Sequence, residues 1–153
     1  MSMIYGIIAA LIVIADFLTK YFIKSNIALG DVFFSVPKLV DFTYVQNRGA
    51  AFSMFSGKVP VLSVVSIAFC IAVIVYWIVK KPKNPLLRTA IAMMFAGALG
   101  NAVDRIFYGF VVDFIAVRFI DFPVFNIADM AITIGAALII IYVVFFDKEG
   151  KNG

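Results

Sequence analysis

Four apolar stretches dominate the hydropathy pattern. They are Ile4 to Phe22, interrupted by Asp16 and closed by Lys20; Val59 to Val79, without charge; Leu86 to about Phe107, charged only at Arg88 and Asp104-Arg105; and Ile127 to Phe146, with one acid, Asp129, near its start. A hydrocarbon core about 30 Å thick is crossed by about 20 helical residues, so the pattern predicts four transmembrane helices. The first stretch has no basic segment before it and no small-x-small cleavage site after it, and reads as a retained span rather than a signal peptide. Two intervening segments are too apolar for free loops. Leu39 to Val45 and Val111 to Ile120, the latter closed by Pro123, are rich in strand formers and predict a small strand-like cap at the interface. No internal repeat or low-complexity tract divides the chain, so residues 1–153 are expected to form one membrane-embedded domain: all-α, four spans, with the cap on one side.

Composition strengthens this reading. Of 153 residues 64% are hydrophobic and 14% charged, with a mean hydropathy of +1.07, against about 25% charged and about 45–50% apolar in soluble domains. There is no His and only one Cys, Cys70. A Ser-His-Asp or Cys-His nucleophile is thereby excluded, as is a His-ligated or Cys-rich zinc site; no metal and no cofactor are expected. Proton chemistry falls to nine acids, thirteen Lys and Arg, and the hydroxyls. The net charge of +4 is dispersed and does not argue for nucleic acid. Cys70 and Trp77 lie in the second span and read as packing or lipid-facing residues.

Lys80, Lys81, Lys83 and Arg88 crowd one short connection that holds no acid. The positive-inside rule places this loop, and with it both termini, in the cytoplasm. Lys20, Lys24, Lys38, Arg48, Lys58, Arg105 and Arg118 then fall on the other side, spread over long segments or beside Asp residues.

On that topology Asp16, Asp104, Asp113 and Asp129 converge towards the extracytoplasmic face, and ionisable groups within spans are functional candidates. Three of them admit structural roles. Asp129 follows Asn126 by three residues, the spacing of an N-cap and its first turn; Asp104 precedes Arg105, a possible interfacial pair; Asp16 precedes Lys20 by four. Asp113, within Val111-Val112-Asp113-Phe114-Ile115, has no such role, and burying its carboxylate requires a proton or a partner. Two carboxylates sharing a site have their pKa values pushed apart, giving an acid and a base near neutral pH. This is the hydrolytic dyad the composition permits.

With these residues in view, the chain resembles the lipoprotein signal peptidases (signal peptidase II). Asp16-Phe17-Leu18-Thr19-Lys20 is similar to the family's D-x-x-T/S-K element, and Asn47-Arg48-Gly49-Ala50-Ala51-Phe52-Ser53 to its N-x-G-A-A-F element. Gly97 to Arg105 is similar to G-x-x-G-N-x-x-D-R. Val111-Val112-Asp113-Phe114 and Phe125-Asn126-Ile127-Ala128-Asp129 resemble V-V-D-F and F-N-x-A-D. The resemblance implies that Asp113 and Asp129 are the catalytic pair. It implies that Asn47, Gly49, Asn101, Arg105 and Asn126 line or brace the site, and that Asp16, Lys20 and Asp104 support it. It further implies a bacterial inner-membrane enzyme, without an obligate protein partner. Its substrate would be a diacylglyceryl-modified prolipoprotein, cut on the N-terminal side of the lipidated Cys. Asp129 is the expected ionised partner and Asp113 the protonated one. The competing reading is a small proton- or cation-coupled transporter, which calls for acids near mid-span and Gly/Pro-broken helices; here the acids cluster at span ends and no Pro interrupts a span interior. A non-enzymatic assembly factor would need no acid in an apolar strand.

Overall fold

The computed structural model describes residues 3–49 and 57–146. The chain runs α1 (Met3–Asn26), β1 (Val32–Val36), β2 (Val40–Asn47), α2 (Val59–Lys80), α3 (Pro85–Tyr108), β3 (Val111–Val117) and α4 (Ile127–Phe145). All four helices are long and apolar enough to cross a membrane, and their bounds follow the predicted spans, α1 running on to Asn26. Residues 50–53 of the N-x-G-A-A-F segment and both chain ends lie outside the described residues.

The distribution of side chains suits lipid as solvent. Ile, Val, Leu and Phe cover the outside, Val64, Ile78 and Phe145 among them, while Ala90, Ala92, Ala96, Ala98, Ala102, Ala128 and Ala131 are buried. Between transmembrane helices it is small residues that permit close van der Waals approach. α3 is the central helix, with 56% of its most apolar window buried against 11–22% in the others. Its seam with α4 is set by glycine. A Cβ on Gly97 would lie 2.3 Å from the Ala128 carbonyl oxygen, and one on Gly135 would lie 2.6 Å from Met94 Cγ and 2.8 Å from the Ala90 carbonyl oxygen.

The cap is a three-stranded antiparallel sheet in the order β1-β2-β3. β2 begins one residue after the predicted Leu39 and extends two beyond Val45, and β3 stops at Val117, short of Ile120. There the Arg118 guanidinium engages Asp41 of β2 and the Arg118 N–H donates to the Leu39 carbonyl, 2.9 Å away. β1 was not anticipated, although Gly30 (φ 89°) before it and Pro37 after it are turn signals. In the β1–β2 turn the Leu39 N–H donates to the Val36 carbonyl, with Lys38 in the left-handed region at φ 65°. β2 and β3 pair with Val45 opposite Asp113 and Asn47 opposite Val111. Ile23 and Ile27 of α1 and its following turn pack with Tyr44, Val112 and Phe114, seating the sheet against the end of the bundle where α1 and α3 finish and α4 begins.

Candidate active site

Three layers of polar residues meet at that end. The deepest is an ion network. Lys20 Nζ lies 2.8 Å from Asp16 and 3.1 Å from Asp104, and all three residues are no more than 5% exposed. One cation between two carboxylates makes burial tolerable only where further hydrogen bonds support the charges, and here they do. Asp16 accepts the Ala128 N–H at 2.9 Å, capping the first turn of α4 from another helix. Asp104 accepts the Val112 N–H at 3.0 Å, fixing the start of β3, and Lys20 donates to Asn101 Oδ1 at 3.0 Å. The i,i+4 pair read from the sequence is present. The Asp104–Arg105 pairing is not the one formed, because adjacent helical residues point to different faces; Asp104 turns to Lys20, and Arg105 donates to the Gly49 carbonyl at 3.2 Å. Gly100 makes room for this layer: a Cβ there would lie 2.6 Å from Asp16 Oδ2.

The second layer consists of three asparagines. Asn101 Nδ2 donates to Asp129 Oδ1 at 2.7 Å. Asn126, fully buried, donates through Nδ2 to Asp113 Oδ1 (2.7 Å), Asn101 Oδ1 (3.1 Å) and the Val112 carbonyl (3.3 Å). It is also the N-cap of α4: its Oδ1 accepts the Asp129 N–H at 2.9 Å, and its own N–H donates to Asp129 Oδ2 at 3.3 Å, a capping box. Asn47 Nδ2 donates to Asp113 Oδ2 at 2.9 Å while its Oδ1 accepts the Gly49 N–H at 2.9 Å.

The third layer is the pair of carboxylates, Asp113 on β3 and Asp129 in the first turn of α4. Asn126 contacts both. The structural reading of Asp129 and the functional one are therefore compatible, since the capping box is what aims its carboxylate. Asp113 is 1% exposed. Burial, and next the charge of Asp129, push its carboxyl up to about 7, against the downward pull of the Asn47 and Asn126 hydrogen bonds. An acid in that range holds its proton about half the time at neutral pH, beside a second carboxylate, which is the range acid–base catalysis uses.

A cavity of about 550 Å³ opens onto this cluster, within the range of ligand sites. Its polar wall is Asn47, Asn101, Arg105 and Asp129; Val117 at the end of β3 and Phe119, Phe122 and Phe125 from the segment after it, with Met130 and Ile134 of α4, make most of the rest apolar. The β3–α4 connection, which the sequence reads as strand-like as far as Ile120, has no cavity-lining role in that reading, and its aromatic spacing is the signal that could have marked one. All ten site residues expected from sequence belong to the connected network: Asp16, Lys20, Asn47, Gly49, Asn101, Asp104, Arg105, Asp113, Asn126 and Asp129.

A multi-pass membrane protein with a buried acid, Asp113, behind a half-buried one, Asp129, that lines a largely apolar cavity belongs among membrane-embedded enzymes, and comparison with known proteins narrows the class. The sequence profile described as signal peptidase (SPase) II matches residues 8–145. The chain is 41% identical over 147 residues to the lipoprotein signal peptidase of Lactobacillus johnsonii, covering 95% of each chain. It is 43% identical over 137 residues to that of Staphylococcus aureus strain Newman, covering 88% of this chain and 84% of the relative. Two solved structures, each described as a bacterial membrane enzyme structure, superpose with TM-scores of 0.93 and 0.87 at 38% and 39% identity. They cover 100% and 95% of this chain and 94% and 96% of theirs. The chain belongs to the signal peptidase II family and is a membrane protease; the transporter reading finds no support.

Proposed function

We propose that the whole chain acts as one aspartic endopeptidase unit, cutting diacylglyceryl-modified prolipoproteins on the N-terminal side of the lipidated Cys with Asp113 and Asp129 as the catalytic pair. The observation that carries this reading is Asn126 bridging the two carboxyl groups beside a cavity whose remaining wall is apolar.

In the proposed reaction Asp129 takes a proton from water as its oxygen attacks the scissile carbonyl carbon. Asp113 gives its proton to the departing nitrogen as the C–N bond breaks, leaving a carboxylate on the signal peptide and a free amine on the lipidated Cys. Asn101 and Asn126 hold Asp129, and Asn47 and Asn126 hold Asp113, so neither must reorganise as charge moves. Arg105 on the cavity wall is placed to meet the substrate backbone. The ion network of Asp16, Lys20 and Asp104 positions the asparagines and the first turn of α4. No step calls for a metal or cofactor.

The orientation proposed is a multi-pass bacterial inner-membrane protein with cytoplasmic termini and an extracytoplasmic site. It draws support from the fate of the opposing basic residues. Of the seven, Lys20 is consumed in the ion network, Arg105 lines the cavity and Arg118 pairs with Asp41, whereas Lys80, Lys81 and Lys83 are all exposed. The diacylglyceryl group would lie along the apolar wall, with burial contributing about 0.8 kcal/mol per CH₂, and that remote binding energy would position the bond to be cut.

The test is a side-by-side assay of one prolipoprotein with a diacylglyceryl-modified and with an unmodified Cys, in one detergent containing EDTA. Fast cleavage of the modified form, unaffected by chelation, is the expected result. Equal rates for both forms would overturn the substrate assignment, and loss of activity with EDTA would overturn the two-aspartate chemistry.

A further inference from the structure

At the opposite end of the bundle from the carboxylates, a second cavity of about 330 Å³ lies between α1, α2 and α3, walled by Tyr5, Ile74, Trp77, Ile78, Ile91 and Phe95. Its lip is cationic. The Arg88 guanidinium sits 5.5 Å from the Tyr5 ring centroid and 6.0 Å from that of Trp77, two rings that themselves pack at 5.9 Å. Arg88 is held there by donating from Nε to the Pro82 carbonyl at 2.5 Å. Lys80 at the end of α2 and Lys81 and Lys83 in the α2–α3 connection are all three exposed. The ion pairs among the described residues are those of Lys20 with Asp16 and Asp104 and of Arg118 with Asp41, so within the described residues the four cations of this lip have no acidic partner.

We infer that this cleft is a binding site for an anionic glycerophospholipid, an acyl chain lying between α1, α2 and α3 and the phosphate meeting Arg88 and the adjoining lysines. An apolar slot between spans with unpaired basic groups at its mouth matches the two halves of such a molecule, and basic pockets between transmembrane helices recognise acidic headgroups. The aromatic pair at the depth of the lip is suited to the polar–apolar boundary. The other apolar segment available to a signal peptidase, the hydrophobic stretch of a substrate's signal peptide, carries a basic segment at its own end, and four unpaired cations repel it.

The molecule carries its own reporter, because Trp77 on the cleft wall is its single tryptophan. The full chain is reconstituted into phosphatidylcholine vesicles containing rising fractions of dibrominated phosphatidylglycerol or, separately, dibrominated phosphatidylcholine. Bromine quenches indole fluorescence on contact. The expected result is a relative association of the brominated phosphatidylglycerol at least about fivefold higher, the factor one basic side chain near the headgroups contributes. Arg88→Gln is expected to reduce it by about that factor, and Lys83→Gln to reduce it further. Should a variant fail to fold, high salt on the unaltered protein supplies the same comparison, since screening weakens the headgroup contact. Equal quenching curves for the two lipids, or a preference untouched by both substitution and salt, would overturn the site. Recovery of fluorescence on saturation with an uncleaved prolipoprotein would also overturn it, assigning the cleft to the signal peptide.

Discussion

At the scale of single residues, the site is a set of buried charges whose neighbours decide their states. Asp113 gives the most direct consequence. Its carboxyl is raised from 3.8 to about 7, so with Asp113 as the acid the cleavage rate falls as pH rises through about 7. The check is a kcat/KM profile between pH 5 and 9, which reports the groups of the free enzyme. The same shift acts on stability. The folded protein holds a proton that the unfolded chain releases from about pH 4 upward, so this contribution is complete below that pH and is lost as pH rises to about 7. The melting temperature of Asp113→Asn, measured against that of the unaltered protein, should therefore improve over that interval as pH rises. Lys20 is a second test. Lys20→Met strands two buried carboxylates and should destabilise by about 3–5 kcal/mol. Adding Asp16→Asn and Asp104→Asn should recover most of that loss, measured by thermal unfolding in detergent; no recovery would mean that Lys20 acts through packing instead. Asp113 was legible from sequence because a lone acid in an apolar strand has no structural excuse. The asparagines were reached through the family resemblance, because nothing in their local sequence shows that Asn126 bonds to Asn101 and Asp113 at once. That convergence exists only after α3, β3 and α4 have packed.

At the scale of elements, length and apolar content were enough for the helices, because a bilayer sets both. The strands were harder. β2 and β3 announced themselves through β-branched and aromatic residues, but their ends depend on a cross-strand contact between Asp41 and Arg118 that spans 77 positions. β1 was missed despite its flanking turn residues, because Val32–Val36 is short and largely exposed; its partner, not its own pattern, makes it a strand. The decisive element contact is the α3–α4 seam. Gly97 is opposed by backbone, which cannot swing aside. Gly97→Ala should thus separate the helices and cost about 1–3 kcal/mol, the usual penalty of overpacking. Because Ala128 is the residue beside Asp129, kcat should fall as well. Measuring unfolding and turnover on the same preparation checks both; an unchanged melting temperature would show that the seam yields more easily than its geometry implies.

At the scale of the whole molecule, the fold solves a placement problem. In the proposed reaction a lipid-modified substrate stays in the bilayer, while its hydrolysis needs water and two carboxyl groups. The helices carry large apolar side chains outward to lipid and keep small and polar ones inside, and the sheet closes one end of the bundle beside the proposed catalytic cavity. That cavity thus has an apolar wall continuous with the spans and a polar wall backed by the ion network. The four-span architecture and the gathering of the acids at one end of the bundle were readable from the hydropathy pattern. The cavity was not, because its wall combines the β3–α4 connection with residues from β2, α3 and α4, and no local pattern records their meeting.

The measurement that tests the central claim most directly is cleavage of a diacylglyceryl-modified prolipoprotein by Asp113→Asn and Asp129→Asn. Each variant is reconstituted in vesicles and checked for unaltered folding by its thermal transition. Asn keeps the shape of the side chain and cannot transfer the proton, so each variant should lose at least about 10²–10⁴-fold in kcat, with substrate binding retained. Turnover close to that of the unaltered protein in either variant would remove that aspartate from catalysis and contradict the two-carboxylate account.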